Sequence, residues 1–496
     1  MIRRVILSLA ATSLASCSLA PPYVRPAPPV PPSWPVGDAY LAQSEAALPS
    51  VTYRDIFRDP RLQKIIEQAL VNNRDLRVAA ANIAAARAQY HIQRAELLPE
   101  VDATLGYRRS YSGGASTTGA GATSTGGGGT TGGVTTARSG TNNTFNADVG
   151  ITSWEVDLFG RVRSLTSASQ NRYFEQEAAA RATRLTLVGD IATAWLTYAS
   201  DKSLQKIAQS TVSSAGSSVK LTRMRLDGGI APRTDLDQAQ LVLHTAESDL
   251  AQQTTLVAQD ANAMQLLVGA PVDPGLLVNS IEEAAPTVAE LPAGLDSGIL
   301  LRRPDVVQAE YELRATNAEI GAARAQLFPR ITLTALLGFA SNALSNLFTG
   351  GALNFSVAPG ASYPIFRAGA GRAAVAQSQA QRDAALATYE KTIQTAFRGV
   401  ADALARRGTI DAQAAAQQNL TAAAADNYKL SDARYRGGID TFLNSLDAQR
   451  SYYAAEKTLI AARLTKATNL VTLYRTLGGD SLLDTAPGGP APVATP

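Results

Sequence analysis

Arg94-Ala95-Glu96-Leu97-Leu98-Pro99 returns as Arg324-Ala325-Gln326-Leu327-Phe328-Pro329, roughly 230 residues later. The echo extends upstream to Asp75 and Asp305 and downstream to Phe159 and Phe366. It continues in Arg225-Leu226-Asp227-Gly228-Gly229-Ile230 against Arg434-Tyr435-Arg436-Gly437-Gly438-Ile439, and closes with Val268-Gly269 against Leu477-Gly478. The offset shrinks along the way because the first copy carries a longer insert. Two copies of one unit, 61–285 and 286–480, therefore fill most of the 496 residues.

Within each copy the apolar period gives a helix, a strand, a loop, a strand and a long helical hairpin, an α+β unit used twice. In the first strand Val101, Ala103, Leu105 and Tyr107 alternate with Asp102, Thr104 and Arg108; in the second Phe145, Ala147, Val149 and Ile151 alternate with Asn146, Asp148 and Thr152. The second copy sets Ile331, Leu333, Ala335, Leu337 and Phe339 against Thr332 and Thr334, then Leu353, Phe355 and Val357 against Asn354 and Ser356. Period two with one apolar face predicts a half-buried sheet, and runs of about ten residues match a tilted bilayer crossing. Alternation alone also fits a small sheet covered by helices. Four strands left open in lipid would leave backbone groups unpaired, so the membrane reading requires several copies to share one barrel. Ser112 to Gly140 is almost wholly Gly, Ser and Thr and reads as a flexible loop, extracellular if the strands form that barrel.

Arg161 to Leu226 contains no proline and would reach about 100 Å as one helix. A turn at Gly228-Gly229-Ile230-Ala231-Pro232 leads to a return helix from Thr234 to Leu267. The second copy has Ala370 to Arg434, a turn at Gly437-Gly438, and Thr441 to Leu477. Each return leg is the shorter, so the helices predicted at Leu62 to Leu98 and Pro304 to Phe328 should continue it. The abundance of alanine permits close helix packing and suits a helical tunnel or a plain coiled-coil stalk equally.

The N-terminus places Arg3 and Arg4 before the apolar stretch Val5 to Leu14, too short to span a bilayer but right for a secretory signal. Leu14-Ala15-Ser16-Cys17 has the pattern of a bacterial lipoprotein cleavage site, giving a signal peptide 1–16 and a lipid on Cys17, the one cysteine of the chain. Residues 17–60 begin proline-rich and read as an extended leash for reach rather than packing; 481–496 read as a flexible tail. A net charge of +3 without a dense basic run argues against nucleic acid. Two histidines, no phosphate loop and no HExxH-type motif leave no basis for an enzyme, a metal site or any cofactor beyond the covalent lipid.

Leu301-Arg302-Arg303-Pro304-Asp305-Val306, Ala309-Glu310, Asn317 to Ala325 and Phe328-Pro329-Arg330-Ile331, supported by Trp154-Glu155-Val156-Asp157-Leu158-Phe159-Gly160, resemble the signature of TolC-type outer-membrane efflux proteins, lipoprotein branch. The resemblance covers nearly the whole chain. It implies a homotrimer with a twelve-stranded β-barrel in the outer membrane of a Gram-negative bacterium, continued by a twelve-helix α-barrel in the periplasm. It further implies the exit duct of a tripartite efflux pump, partnered by a periplasmic adaptor and an inner-membrane transporter of the resistance-nodulation-division type. Related alternatives are a duct for type I protein secretion and a non-conducting structural lipoprotein. By the same resemblance, Gly228, Gly229, Ile230, Gly437, Gly438 and Ile439 are adaptor-contacting tips, although such glycines also close helix C-termini. Tyr435, Leu443, Asp447 and Arg450 map to the periplasmic gate, with Asp235 and Asp237 as the acidic positions of the other hairpin. Leu443, Asp447 and Arg450, at i, i+4 and i+7, share one helix face.

Overall fold

Asp59 accepts a hydrogen bond from the Arg61 amide at 2.8 Å and Pro60 opens the first turn, which starts helix α1 (Pro60–Asn72). The computed structural model describes residues 18–40, 52–112, 140–289, 297–349 and 351–479. The signal segment, Cys17, the loop interior between Ser112 and Gly140 and the tail 481–496 lie outside the described residues. After α1 come α2 (Arg74–Ala95), β1 (Asp102–Ser112), β2 (Gly140–Glu155), α3 (Arg161–Asp227) and α4 (Arg233–Val268). The second copy gives α5 (Pro304–Ala325), β3 (Arg330–Ser341), β4 (Leu353–Ser362), α6 (Ala370–Arg436) and α7 (Phe442–Thr476). The duplication holds in length: α2 and α5 have 22 residues each, α3 and α6 have 67, and α4 and α7 have 36 and 35.

The chain divides into two compact units. One comprises Met1–Pro22, Ala88–Ser169 and Thr316–Ala380, and holds the antiparallel sheet in the order β1-β2-β3-β4. Its register puts Tyr107 opposite Phe145, Val149 opposite Leu337, and Leu337 opposite Phe355, so the apolar residues of all four strands share one face. That face is bare: Leu105, Tyr107, Val149, Leu337, Phe355 and Val357 are exposed and every residue of β4 is exposed. The unit does not itself supply the expected half-burial: among the described residues no second layer covers these side chains. On the other face Gly106 stands opposite Asn146 and Gly338 opposite Asp148, where an added Cβ would meet the Asn146 and Asp148 side-chain oxygens at 2.3 Å. Glycine gives those polar side chains room to lie across the strands, where Asn146 donates to Asp148 at 2.9 Å.

The other unit, Tyr23–Arg87, Gln170–Ala315 and Gln381–Pro496, is helical. Phe57, Ile65, Ile66, Trp195, Tyr389 and Tyr474 are fully buried in its main core, and the Trp195 indole donates to the Leu276 carbonyl at 3.3 Å. Full burial of each large apolar side chain contributes about 2–3 kcal/mol. The expected continuation of the short legs is present at both joints. Asn73 donates through Nδ2 to the Leu267 carbonyl at 2.7 Å, joining the end of α4 to the start of α2. Arg303, which pairs with Asp305 at 2.7 Å, reaches the Thr476 carbonyl and joins the end of α7 to the start of α5. The helix predicted over 62–98 is in fact two, broken at Asn73 with φ −57° and ψ 137°. The break is where α4 docks.

The proline-rich N-terminal segment is extended, as expected, but it packs. In the sheet unit the Leu19 carbonyl accepts from Arg324 at 3.2 Å and the Pro21 carbonyl from Asn317 at 2.8 Å. In the helical unit Tyr23 and Arg25 bind Glu310, which also pairs with Arg314 at 2.6 Å, and Trp34 packs on Phe397 with ring centroids 4.9 Å apart. Proline leaves backbone carbonyls unpaired by the segment itself, and α5 supplies their donors.

Candidate gate and hairpin tips

Both hairpins turn through the same geometry. Ile230 donates its amide to the Arg225 carbonyl at 2.8 Å and Gly228 to Met224 at 3.0 Å; Ile439 donates to Arg434 at 2.9 Å and Gly437 to Ala433 at 2.9 Å. Gly229 and Gly438 take φ of +70° and +72°, which side chains disfavour, so both helices end in glycine-closed caps. Ile230 and Ile439 are exposed at the two tips. The second tip carries an extra brace: Asp440 accepts from the Thr441 amide at 2.9 Å, Asn444 at 2.6 Å and Arg434 at 3.3 Å. These bonds, the backbone one foremost, hold the Asp440 carboxyl below the usual range.

The predicted gate residues separate into two groups. Tyr435, 5% exposed, lies in a small apolar cluster with Ala215, Ala239, Val242, Phe442 and Leu446, its ring 5.1 Å from that of Phe442. The Arg225 guanidinium, from the first hairpin, stacks 4.3 Å above the Tyr435 ring and donates to the Tyr435 and Arg436 carbonyls, both at 3.4 Å. Burial pushes the Tyr435 hydroxyl up, outweighing the opposing effect of Arg225. Arg225 thus ties the two tips together. It escaped the sequence reading, although its signal was present as the arginine that opens the repeated tip motif, matched by Arg434.

Leu443, Asp447 and Arg450 lie together on the exposed face of α7, opposite buried Phe442, Leu446 and Gln449; Leu443 is 55% exposed. Among the described residues neither Asp447 nor Arg450 forms an ion pair. Arg450 borders a groove of about 210 Å³ with Thr245, Gln449 and Tyr453. At its side Asp249 accepts from Tyr453 at 2.6 Å and Lys457 at 3.0 Å. Burial raises the Asp249 carboxyl, but these two donors prevail and hold it low. Asp237 lies 3.8 Å from Arg233 on the surface, and Asp235 is half-buried. Aligned on the tip glycines, the first-hairpin residue that matches Asp447 is Gln238, so Asp235 and Asp237 are not its register equivalents.

The outer membrane efflux protein family matches this chain over residues 65–270 and 296–479. The chain belongs to that family. A probable efflux pump outer membrane protein, TtgC, of Pseudomonas putida is 43% identical over 96% of this chain and 95% of the relative. The outer membrane protein OprJ of Pseudomonas aeruginosa is 37% identical over 95% of this chain and 94% of its own length. The crystal structure of the open state of the Neisseria gonorrhoeae MtrE outer membrane channel superposes with a TM-score of 0.81 at 31% identity, covering 94% of this chain and 98% of that one. This efflux protein is accordingly a channel of the outer membrane, in a family of ducts rather than enzymes. The bare apolar face of the sheet then has its solvent, which is lipid.

Proposed function

We propose that this protein is the gated exit duct of a tripartite efflux pump, conducting small solutes passively across periplasm and outer membrane as a homotrimer. The observation that carries the reading is a four-stranded sheet with one continuous, uncovered apolar face and free edges at β1 and β4. In lipid such edges must be paired, and further copies of the chain supply the missing strands. Cys17 carries the lipid anchor, and the packed N-terminal segment fixes where that anchor leaves the fold. Directionality comes from the inner-membrane transporter, linked through an adaptor that docks on the Gly228-Gly229-Ile230 and Gly437-Gly438-Ile439 tips.

The gate is the α7 face. Leu443 from each copy narrows the lumen, while Asp447 and Arg450, unpaired within one chain, form charge-assisted hydrogen bonds to neighbouring copies. Tyr435 and Arg225 hold the second hairpin against the first, with Asp235 beside them and Asp237 toward the surface. Conductance of the purified protein in planar bilayers, with its mass measured by light scattering, tests the reading. Small discrete openings from a trimer are expected; a monomer, or a trimer that stays non-conducting after the Asp447→Ala and Arg450→Ala changes, refutes it.

A further inference from the structure

Beside the β4 edge of the sheet unit lies an apolar ledge that the described residues leave uncovered. Phe366 is 87% exposed, and Ile365 and Tyr363 are exposed with it. The duplicated sequence names the occupant. Phe366 stands in the second copy where Phe159 stands in the first, and Leu98 stands where Phe328 stands. Within the chain the first of these linkers already has its partner: Phe159 stacks on Phe328 with ring centroids 4.8 Å apart. The strands on either side follow suit, since β2, which precedes Phe159, pairs with β3, which follows Phe328. Leu98, the counterpart of Phe328, is 71% exposed beside the free edge of β1.

Opposite charges flank the free edges as well, though not at matching positions, since the second-copy counterpart of Glu155 is Ser362. At the internal junction Arg330, on the β3 side, binds Glu155 at the end of β2, and Glu155 also holds Arg161 at 2.8 Å. Glu100 occupies the first-copy position of Arg330, and the linker after β4 carries Arg367 directly beyond Phe366. Both are exposed and, among the described residues, neither has an ion-pair partner.

We propose that the subunit seam repeats the packing of the internal β2–β3 junction and adds a charge pair of its own. Phe366 packs on Leu98 of the partner subunit, and Arg367 pairs with Glu100 of the partner subunit. The internal junction shows that this linker geometry buries an aromatic side chain against the Leu-x-Pro turn that precedes a strand. Only a second copy offers another such turn beside an unpaired β1. A lipid surface would explain the exposed aromatics but not the opposite, unpaired charges on the two free edges.

The proposal rests on the trimeric reading, and its test separates the two. Leu98→Cys and Phe366→Cys, introduced together in the full exported chain, should give covalent trimers on oxidation in outer-membrane preparations, while either change alone gives none. Glu100→Arg or Arg367→Glu alone should lower the temperature at which the trimer dissociates, and the double reversal should recover most of the loss. Intact trimers that do not cross-link, or reversals whose losses simply add, would overturn the seam and leave the duct standing. A monomer by light scattering would overturn the trimer and the seam together.

Discussion

Arg225→Met removes the charge that binds the first hairpin tip to the second while keeping most of the side chain's stem. The guanidinium lies 4.3 Å above a Tyr435 ring that is 5% exposed, and a half-exposed contact of this kind contributes about 1 kcal/mol. Its two bonds to the Tyr435 and Arg436 carbonyls are long at 3.4 Å, so about 0.5 kcal/mol each is appropriate. The tie is then worth about 2 kcal/mol per chain, roughly a thirtyfold change in the balance between held and released tips. If three copies release together, the open state gains on the order of 10⁴-fold; if they release independently, each gains only its own share. Single-channel recording measures open probability directly, and a double-mutant cycle with Tyr435→Leu should give a coupling of about 1 kcal/mol. Unchanged open probability in Arg225→Met, or strict additivity in the cycle, would refute the latch.

Asp447→Ala with Arg450→Ala should give a leakier channel than either single change; equal conductance in all variants removes these residues from the gate. Glu310→Gln should destabilise the helical unit by about 3 kcal/mol, because Glu310 is 3% exposed and is shared by Arg25 and Arg314; calorimetry against wild type decides it. Burial, reinforced by the nearby Asp201, raises the Asp260 carboxyl from 3.8 to about 6, so its contribution to stability is complete below the lower value and lost as pH rises through the upper one. The loss should be about 1 kcal/mol after allowance for solvent screening, with thermal unfolding of Asp260→Asn flatter across that window.

The duplication made most of the fold legible, since each copy confirmed the other's boundaries: the two 67-residue helices and the glycine-closed tips follow from proline-free runs ended by Gly-Gly. Two features were not legible. The break at Asn73 depends on α4 docking there, where Asn73 donates to the Leu267 carbonyl, a contact distant in sequence that no local period signals. The N-terminal segment reads as a leash because proline is its loudest residue, yet Tyr23, Arg25 and Trp34 within it each find a partner in the folded chain. At the candidate gate the face shared by Leu443, Asp447 and Arg450 followed from helical spacing. The burial of Tyr435 did not, because it depends on Phe442 arriving across its own turn and on Arg225 arriving from the other hairpin.

Where the copies diverge is as informative as where they agree. Aligned on their tip glycines, Tyr435 replaces Leu226, Asp440 replaces Ala231, Leu443 replaces Thr234, Asp447 replaces Gln238 and Arg450 replaces Leu241. The backbone turns stay the same in hydrogen bonding and in φ. The first hairpin has therefore kept the fold's geometry with fewer of these groups, while the other gathers an aromatic ring and three charged side chains at these positions between 435 and 450. A ring built from such chains alternates inert and equipped hairpins. If the equipped hairpins swing against the inert ones, the restraint falls on the contacts that cross between them near the tip, the Arg225 guanidinium on Tyr435 and the apolar cluster of Ala215, Ala239 and Val242 with Tyr435, Phe442 and Leu446.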